Sequence, residues 1–251
     1  TNSFYKSRAI LHGFFVDKSR KMVTLNKEVY MSDELDELGD DSQKIDKVVI
    51  ADPLIMSTVG LVGDITEESA NEVVFSLLML HEKQSTDYLN TVLSMQEEEL
   101  NNLSEEDLMQ LKPNIDFYIS TNGGSADEMF GVYDVMRFIK DGGVSSITTC
   151  GIGKVMSAGV LLLAAGTKGK RRVGKHCRIM LHSVIGGSTG PMHQLENEFA
   201  EVKKIQDTYI KALVEETNMT EKDLRRLLKR KTNVYLSADE AVELGIADEV
   251  F

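Results

Sequence analysis

From Ser157 to Ala165 the chain reads SAGVLLLAA, a stretch with no polar face in any helical register. A helix that is hydrophobic all round has to be covered on every side, which demands a layered domain around it. The surrounding sequence agrees. Leu54–Val62, Ile115–Ile119, Val144–Cys150 and Ile179–Leu181 are short β-like runs. Between them, Glu67–Leu80 turns Ala70, Val73, Val74, Leu77, Leu78 and Leu80 inward, and Met129–Ile139 aligns Val132, Val135, Met136 and Ile139. Strands alternating with amphipathic helices predict an α/β domain with right-handed crossovers. Further on, Leu195, Phe199, Val202, Ile205, Tyr209 and Leu213 mark a long amphipathic helix. Its apolar residues exceed what one core-facing stripe needs, which predicts a second buried surface.

With 251 residues the chain is long enough for one sizeable domain plus an appended segment. Its net charge of −12 opposes a non-specific nucleic-acid binder or an anionic membrane surface. No apolar run approaches the roughly 18 residues of a membrane span, and no basic-then-apolar leader precedes the domain, so a cytoplasmic location is expected. The acid is concentrated. Residues 33–46 hold seven acidic side chains against Lys44, and residues 85–112 hold seven against Lys112, which together account for the whole net charge. The first segment reads as a solvated linker. The second reads as a surface helical hairpin, with Leu89, Val92, Leu93, Met95 and Leu100 near helical spacing and Ser104 as an N-cap. Ahead of both, Ala9–Val16 and Met22–Leu25 flank a polar turn and predict a hairpin. Cys150 and Cys177, the only cysteines, have neither disulfide nor zinc-ligand spacing, so no metal is expected.

Three small constellations carry chemistry. Ser120-Thr121-Asn122-Gly123-Gly124 follows a strand, and its two glycines let backbone N–H groups turn toward a ligand. Gly151-Ile152-Gly153-Lys154-Val155-Met156-Ser157-Ala158-Gly159 joins a strand to the apolar helix, so Ser157 sits near a helix N-terminus, where developing negative charge is favoured. It is neither a GxSxG elbow nor a dinucleotide or P-loop match, and on its own Ser157 reads as an N-cap. Arg178-Ile179-Met180-Leu181-His182 ends a strand on a histidine and is followed by Gly186, Gly187 and Gly190. That histidine is a candidate base, whereas His12, His81, His176 and His193 lack such a frame and read as structural or exposed. An N-terminal nucleophile at Thr1 has no base or companion motif nearby.

Together these residues resemble ClpP, the proteolytic subunit family of the Clp protease within the ClpP/crotonase-like superfamily. The carrying motifs are LLLAAGTKGKRR at 161–172, RIMLH at 178–182 and YLSADEAVELGIADEV at 235–250, with His182 standing 25 positions after Ser157. The resemblance spans roughly 54–83 and 113–251. It implies a superhelical ββα spiral with a protruding strand-helix handle, the long helix from Leu195 to Leu213 being that handle. It also implies a serine endopeptidase that needs no cofactor, with Ser157 as nucleophile, His182 as base, and the N–H groups of Gly124 and Ala158 as the oxyanion hole. Gly123, Ser125, Gly186 and Gly187 fall where the family binds substrate. Residues 1–48 then form the axial-loop hairpin and acidic linker, and 49–251 the peptidase domain with an acidic helical insertion at about 85–112. The implied partners are copies of the chain in stacked heptameric rings, an AAA+ unfoldase such as ClpX, ClpA or ClpC, and unfolded protein substrates, with neither nucleic acid nor membrane.

The third triad position departs from the family. Its aspartate is replaced by Asn233; asparagine can accept the histidine's hydrogen bond but adds no charge. Two readings follow: a Ser-His-Asn peptidase, and a weak or inactive ring subunit acting as a scaffold. Asp239 substitutes only if the loop is rearranged. Thr232 stands where the family carries an arginine used between rings, and Asn122 where it carries a proline. Crotonase-type acyl-CoA chemistry, which uses the two N–H donors without His182, and a phage head-maturation protease without an unfoldase are the alternatives within the superfamily. The cluster Lys168, Lys170, Arg171, Arg172 and Lys175 reads as a solvated turn with local ion pairs.

Overall fold

Alternation along Asn114–Thr121 (β2) buries Ile115, Phe117, Ile119 and Thr121 and turns the intervening residues outward, the period of a strand with one face on a core. The computed structural model describes residues 57–96, 102–104, 111–229 and 233–251. The expected hairpin at 9–25 and the linker at 33–46 lie outside the described residues, as do 97–101 and 105–110 of the acidic block. On one edge of β2 runs Thr58–Val62 (β1), and on the other Ser146–Met156 (β3), both parallel to it. Arg171–Val173 (β4) continues the parallel sheet beyond β3, and Glu249–Val250 (β7) continues it beyond β4. The last three residues of β3 pair instead with Arg178–Leu181 (β5), which is itself paired antiparallel to Val234–Leu236 (β6).

Two helices cover this sheet as crossovers. Glu67–Ser94 (α1) opens on a capping box in which Thr66 and Ser69 satisfy each other's backbone N–H groups. Ala126–Asp141 (α2) buries Met129, Val132, Tyr133, Met136 and Ile139. The apolar helix is Gly159–Ala164 (α3), and all six of its residues are buried, as its composition demanded. Met192–Glu216 (α4) is the long amphipathic helix. It buries only Tyr209, Ile210, Ala212, Leu213 and Glu216 at its C-terminal end, while Met192 and Phe199 stand exposed. Glu221–Leu228 (α5) and Ala238–Glu243 (α6) follow it. The chain thus has the mixed α/β, parallel-strand architecture of the ClpP fold.

The structure differs from the sequence reading in three places. First, α1 runs through to Ser94, so the first ten residues of the acidic block continue that helix rather than start a separate hairpin. No glycine or proline interrupts residues 67–94, and Leu89 and Leu93 are exposed, so their spacing reflects helix geometry and not core packing. Second, β3 extends to Met156, through the glycines expected to form a loop. Ile119 pairs with Gly151 and Thr121 with Val155, so the strand bulges at 152–154, with Gly153 at φ +64°. Third, the basic cluster is not wholly a solvated turn.

Arg171 lies in β4 and is buried. Its guanidinium reaches both carboxylate oxygens of Asp248 and the carbonyls of Ala164, Glu216 and Gly245. A single charge thereby ties α3, α4 and the last strand together. Partial burial by itself raises the Asp248 carboxyl, but hydrogen bonds from Arg171 and the Gly169 N–H outweigh it and hold it below its usual value. Its contribution to stability is therefore complete above the ordinary aspartate value of 3.8 and is lost as pH falls through the lower folded value. Asp248→Asn is expected to cost about 3–5 kcal/mol near neutrality, because it strands a buried guanidinium. In denaturant titrations the gap between variant and wild type should close only below about pH 4. A variant equally stable at pH 7 would contradict this account of the buried pair.

Candidate active site

The bulge in β3 redirects the strand, and the redirected end delivers Ser157. This residue sits at φ +55°, the one non-glycine residue with positive φ among those described. Such a conformation costs on the order of 1–3 kcal/mol and persists only where the surroundings hold it. Here they do so from several sides. The Ser157 N–H donates to the Met180 carbonyl in β5 at 2.7 Å, and its own carbonyl accepts from the Val160 N–H at 3.1 Å and from the Tyr209 hydroxyl at 3.0 Å. Ala158, not Ser157, is the N-cap of α3, so the serine stands free of the capping role its position suggested. A sharp strand-to-helix turn that projects a strained serine is the geometry of a nucleophile elbow, reached without the GxSxG sequence.

Pairing of β5 with the end of β3 sets Met180 beside Met156 and leaves His182 just beyond the strand. Its Nε2 lies 2.7 Å from Ser157 Oγ, a full hydrogen bond between two partly buried side chains. An imidazole at that distance can take the hydroxyl proton as the oxygen attacks.

The Gly-Gly turn closes the other side. Gly123 is buried with φ +96°, and a Cβ there would meet Ser157 Cβ at 2.6 Å and Ser157 Oγ at 3.0 Å. Only glycine lets the β2 turn lie against the serine. Gly124 has φ +157°, and a Cβ on it would strike the Ile65 carbonyl at 2.1 Å. The Gly123 N–H is taken by Thr121 Oγ1 at 3.0 Å, and the Ser125 N–H by the Ile65 carbonyl at 3.0 Å. No such bond occupies the N–H of Gly124 or of Ala158 among the described residues. Unengaged backbone donors next to a serine are what a developing oxyanion requires. Asn122 anchors this turn by donating through Nδ2 to Asp64 Oδ1 at 3.0 Å, doing with a hydrogen bond what proline does with a ring.

The remaining expected residues are placed less closely. Asn233 precedes β6, where Leu181 pairs with Val234, so one further step of that register sets His182 opposite Asn233. Asn233 is exposed, and no hydrogen bond joins it to His182 among the described residues. Ser125 is committed to capping α2, accepting from the Glu128 N–H. Gly186 and Gly187 lie exposed in the segment between His182 and α4, with Gly186 against Val202. His81 is structural, bonded to Ser145 Oγ at 3.1 Å. Both cysteines are buried and free, and burial pushes the Cys177 thiol up to about 11, which removes it as a nucleophile.

Two residues at the site were not singled out from sequence. Thr121 packs its Cγ2 so closely on the start of α3 that a Cβ at Gly159 would meet it at 2.3 Å, which fixes where that helix begins. Tyr209 stood out only as an apolar mark on a helix. Its buried hydroxyl needed a partner, and that need was the available signal.

A serine hydroxyl bonded to an imidazole, with two backbone N–H groups left unengaged nearby in the chain, is a constellation suited to acyl transfer, here carried on a largely parallel α/β sheet. The family model for Clp protease matches residues 91–251, well over half of the chain and the whole of this site apart from the β1–α1 connection. The chain belongs to the Clp protease family. The matched region begins within the acidic block, at the end of α1.

Proposed function

We propose that this chain is a serine endopeptidase of the Clp type. Ser157 attacks the scissile carbonyl and His182 takes its proton. The N–H groups of Gly124 and Ala158 receive the oxyanion, and Asn233 orients the imidazole from the position where the family has aspartate. The observation that carries this reading is the 2.7 Å bond between His182 Nε2 and the oxygen of a serine held at φ +55°. Family membership supports a ring of subunits fed with unfolded polypeptide by an AAA+ unfoldase, with no metal or cofactor in the peptidase step. The exposed N-terminal half of α4, bearing Met192 and Phe199, fits the handle of such an assembly.

The second reading, a weak or inactive ring subunit, draws on one specific observation: among the described residues Asn233 makes no bond to His182. Labelling decides between them. Incubation with a fluorophosphonate followed by peptide mapping is expected to place a single phosphonyl group on Ser157, and prior mutation of His182 to alanine should abolish it. Intact protein after prolonged exposure would overturn the peptidase reading.

A further inference from the structure

The carbonyl of Ser157 and the N–H of Ala158 are opposite ends of one planar, trans peptide unit, so fixing the direction of either fixes the other. The Ala158 N–H carries no hydrogen bond among the described residues and is one of the two donors assigned to the oxyanion in the proposed function. The carbonyl end of the same unit is held at 3.0 Å by the hydroxyl of Tyr209, which reaches it from α4, 52 residues away in sequence. We propose that Tyr209 is a positioning residue for the oxyanion hole, acting through the Ser157–Ala158 peptide. The inference rests on the peptidase reading above and extends it to a residue outside the catalytic constellation.

Ser157 occupies a conformation that its own backbone disfavours, so the peptide that follows it needs external restraint to keep its orientation. Val160 supplies one N–H to the Ser157 carbonyl, and the remaining lone pair goes to Tyr209. A carbonyl that accepts two hydrogen bonds is also more strongly polarised, which makes the N–H at the far end of the unit a better donor. Tyr209 suits this task. It is 5% exposed, so water cannot compete for its hydroxyl, and burial pushes its ionisation upward, which keeps it a donor across the working pH range.

Tyr209→Phe keeps the ring and removes only the hydroxyl, which isolates the hydrogen bond from the packing. Active sites are counted by fluorophosphonate titration, and hydrolysis of a small peptide is then expressed per titrated site. The expected result is a fall in kcat of about tenfold with KM within a factor of two, less than the 10²–10³ of losing a donor outright. Binding of a peptide aldehyde, whose tetrahedral adduct places an oxygen at the two donors, should weaken by a similar factor. Binding of the product peptide should not change. A purely structural role would instead lower the unfolding midpoint and the number of titrated sites, leaving kcat per site and the ratio of aldehyde to product affinity as in wild type. That outcome overturns the proposal alone. A wild type that neither hydrolyses peptide nor reacts at Ser157 overturns the peptidase reading, and this inference with it.

Discussion

Ser157→Ala is expected to lower peptide hydrolysis by about 10⁶ and to leave the protein folded, because a methyl group fills the same space beside Gly123. The serine oxygen is not what holds the turn. Among the described residues its one side-chain bond is to His182, and the backbone bonds that hold the turn come from its N–H and its carbonyl. His182→Ala should be nearly as damaging, since a neutral hydroxyl is a poor nucleophile until its proton has somewhere to go. The double variant should be no worse than either single one. Residues that act as one unit are not additive, and what remains is the contribution of binding and of the two free N–H donors. Initial rates on a short fluorogenic peptide measure all three. Additive losses in the double variant would mean that serine and histidine serve separate steps, contrary to a nucleophile–base pair.

How much of this was legible in the sequence depended on the range of the interactions involved. The buried helix α3 was legible because its composition leaves it no solvent face. The elements around it were located because each repeats its apolar positions at its own period, although α1 and β3 run well past their expected ends. Ser157 and His182 were singled out through the motifs that surround them, and the fold brings the two side chains into hydrogen-bonding contact. What escaped was long-range. Nothing local marks Gly151–Gly153 as a bulge inside a strand; that follows from partners on β2 and β5 pulling the two halves of β3 apart. Arg171 reads as part of a solvated lysine-arginine run because the groups that bury it, Glu216, Gly245 and Asp248, lie 45 to 77 residues away. The Tyr209 bond has the same character. Side chains that connect distant elements look ordinary in sequence, since their environment is made by the tertiary fold.

Asn233→Asp is expected to raise kcat on a small peptide by about 10² or more, with 10⁴ as the ceiling set by the reverse change in a serine protease. The position favours such a gain. β5 and β6 pair antiparallel, Leu181 faces Val234, and the next step of the register sets His182 against Asn233. Directly opposed residues of an antiparallel pair share a face, so a carboxylate introduced there lies on the same face as the imidazole. The bond from Nε2 to Ser157 Oγ leaves Nδ1 for that partner. A carboxylate accepts the Nδ1–H as asparagine does, and it also stabilises the imidazolium that forms when the serine proton is transferred. Asparagine in that role would supply orientation only. The gain should therefore appear in kcat with little change in KM, and the rate of fluorophosphonate labelling should rise with it, because both depend on the same proton transfer. If an active wild type is unchanged by Asn233→Asp, then Asn233 is not the third member of the constellation. If wild type, Ser157→Ala and Asn233→Asp are all equally silent, the missing charge is not what limits the site, and the chain serves its ring as scaffold.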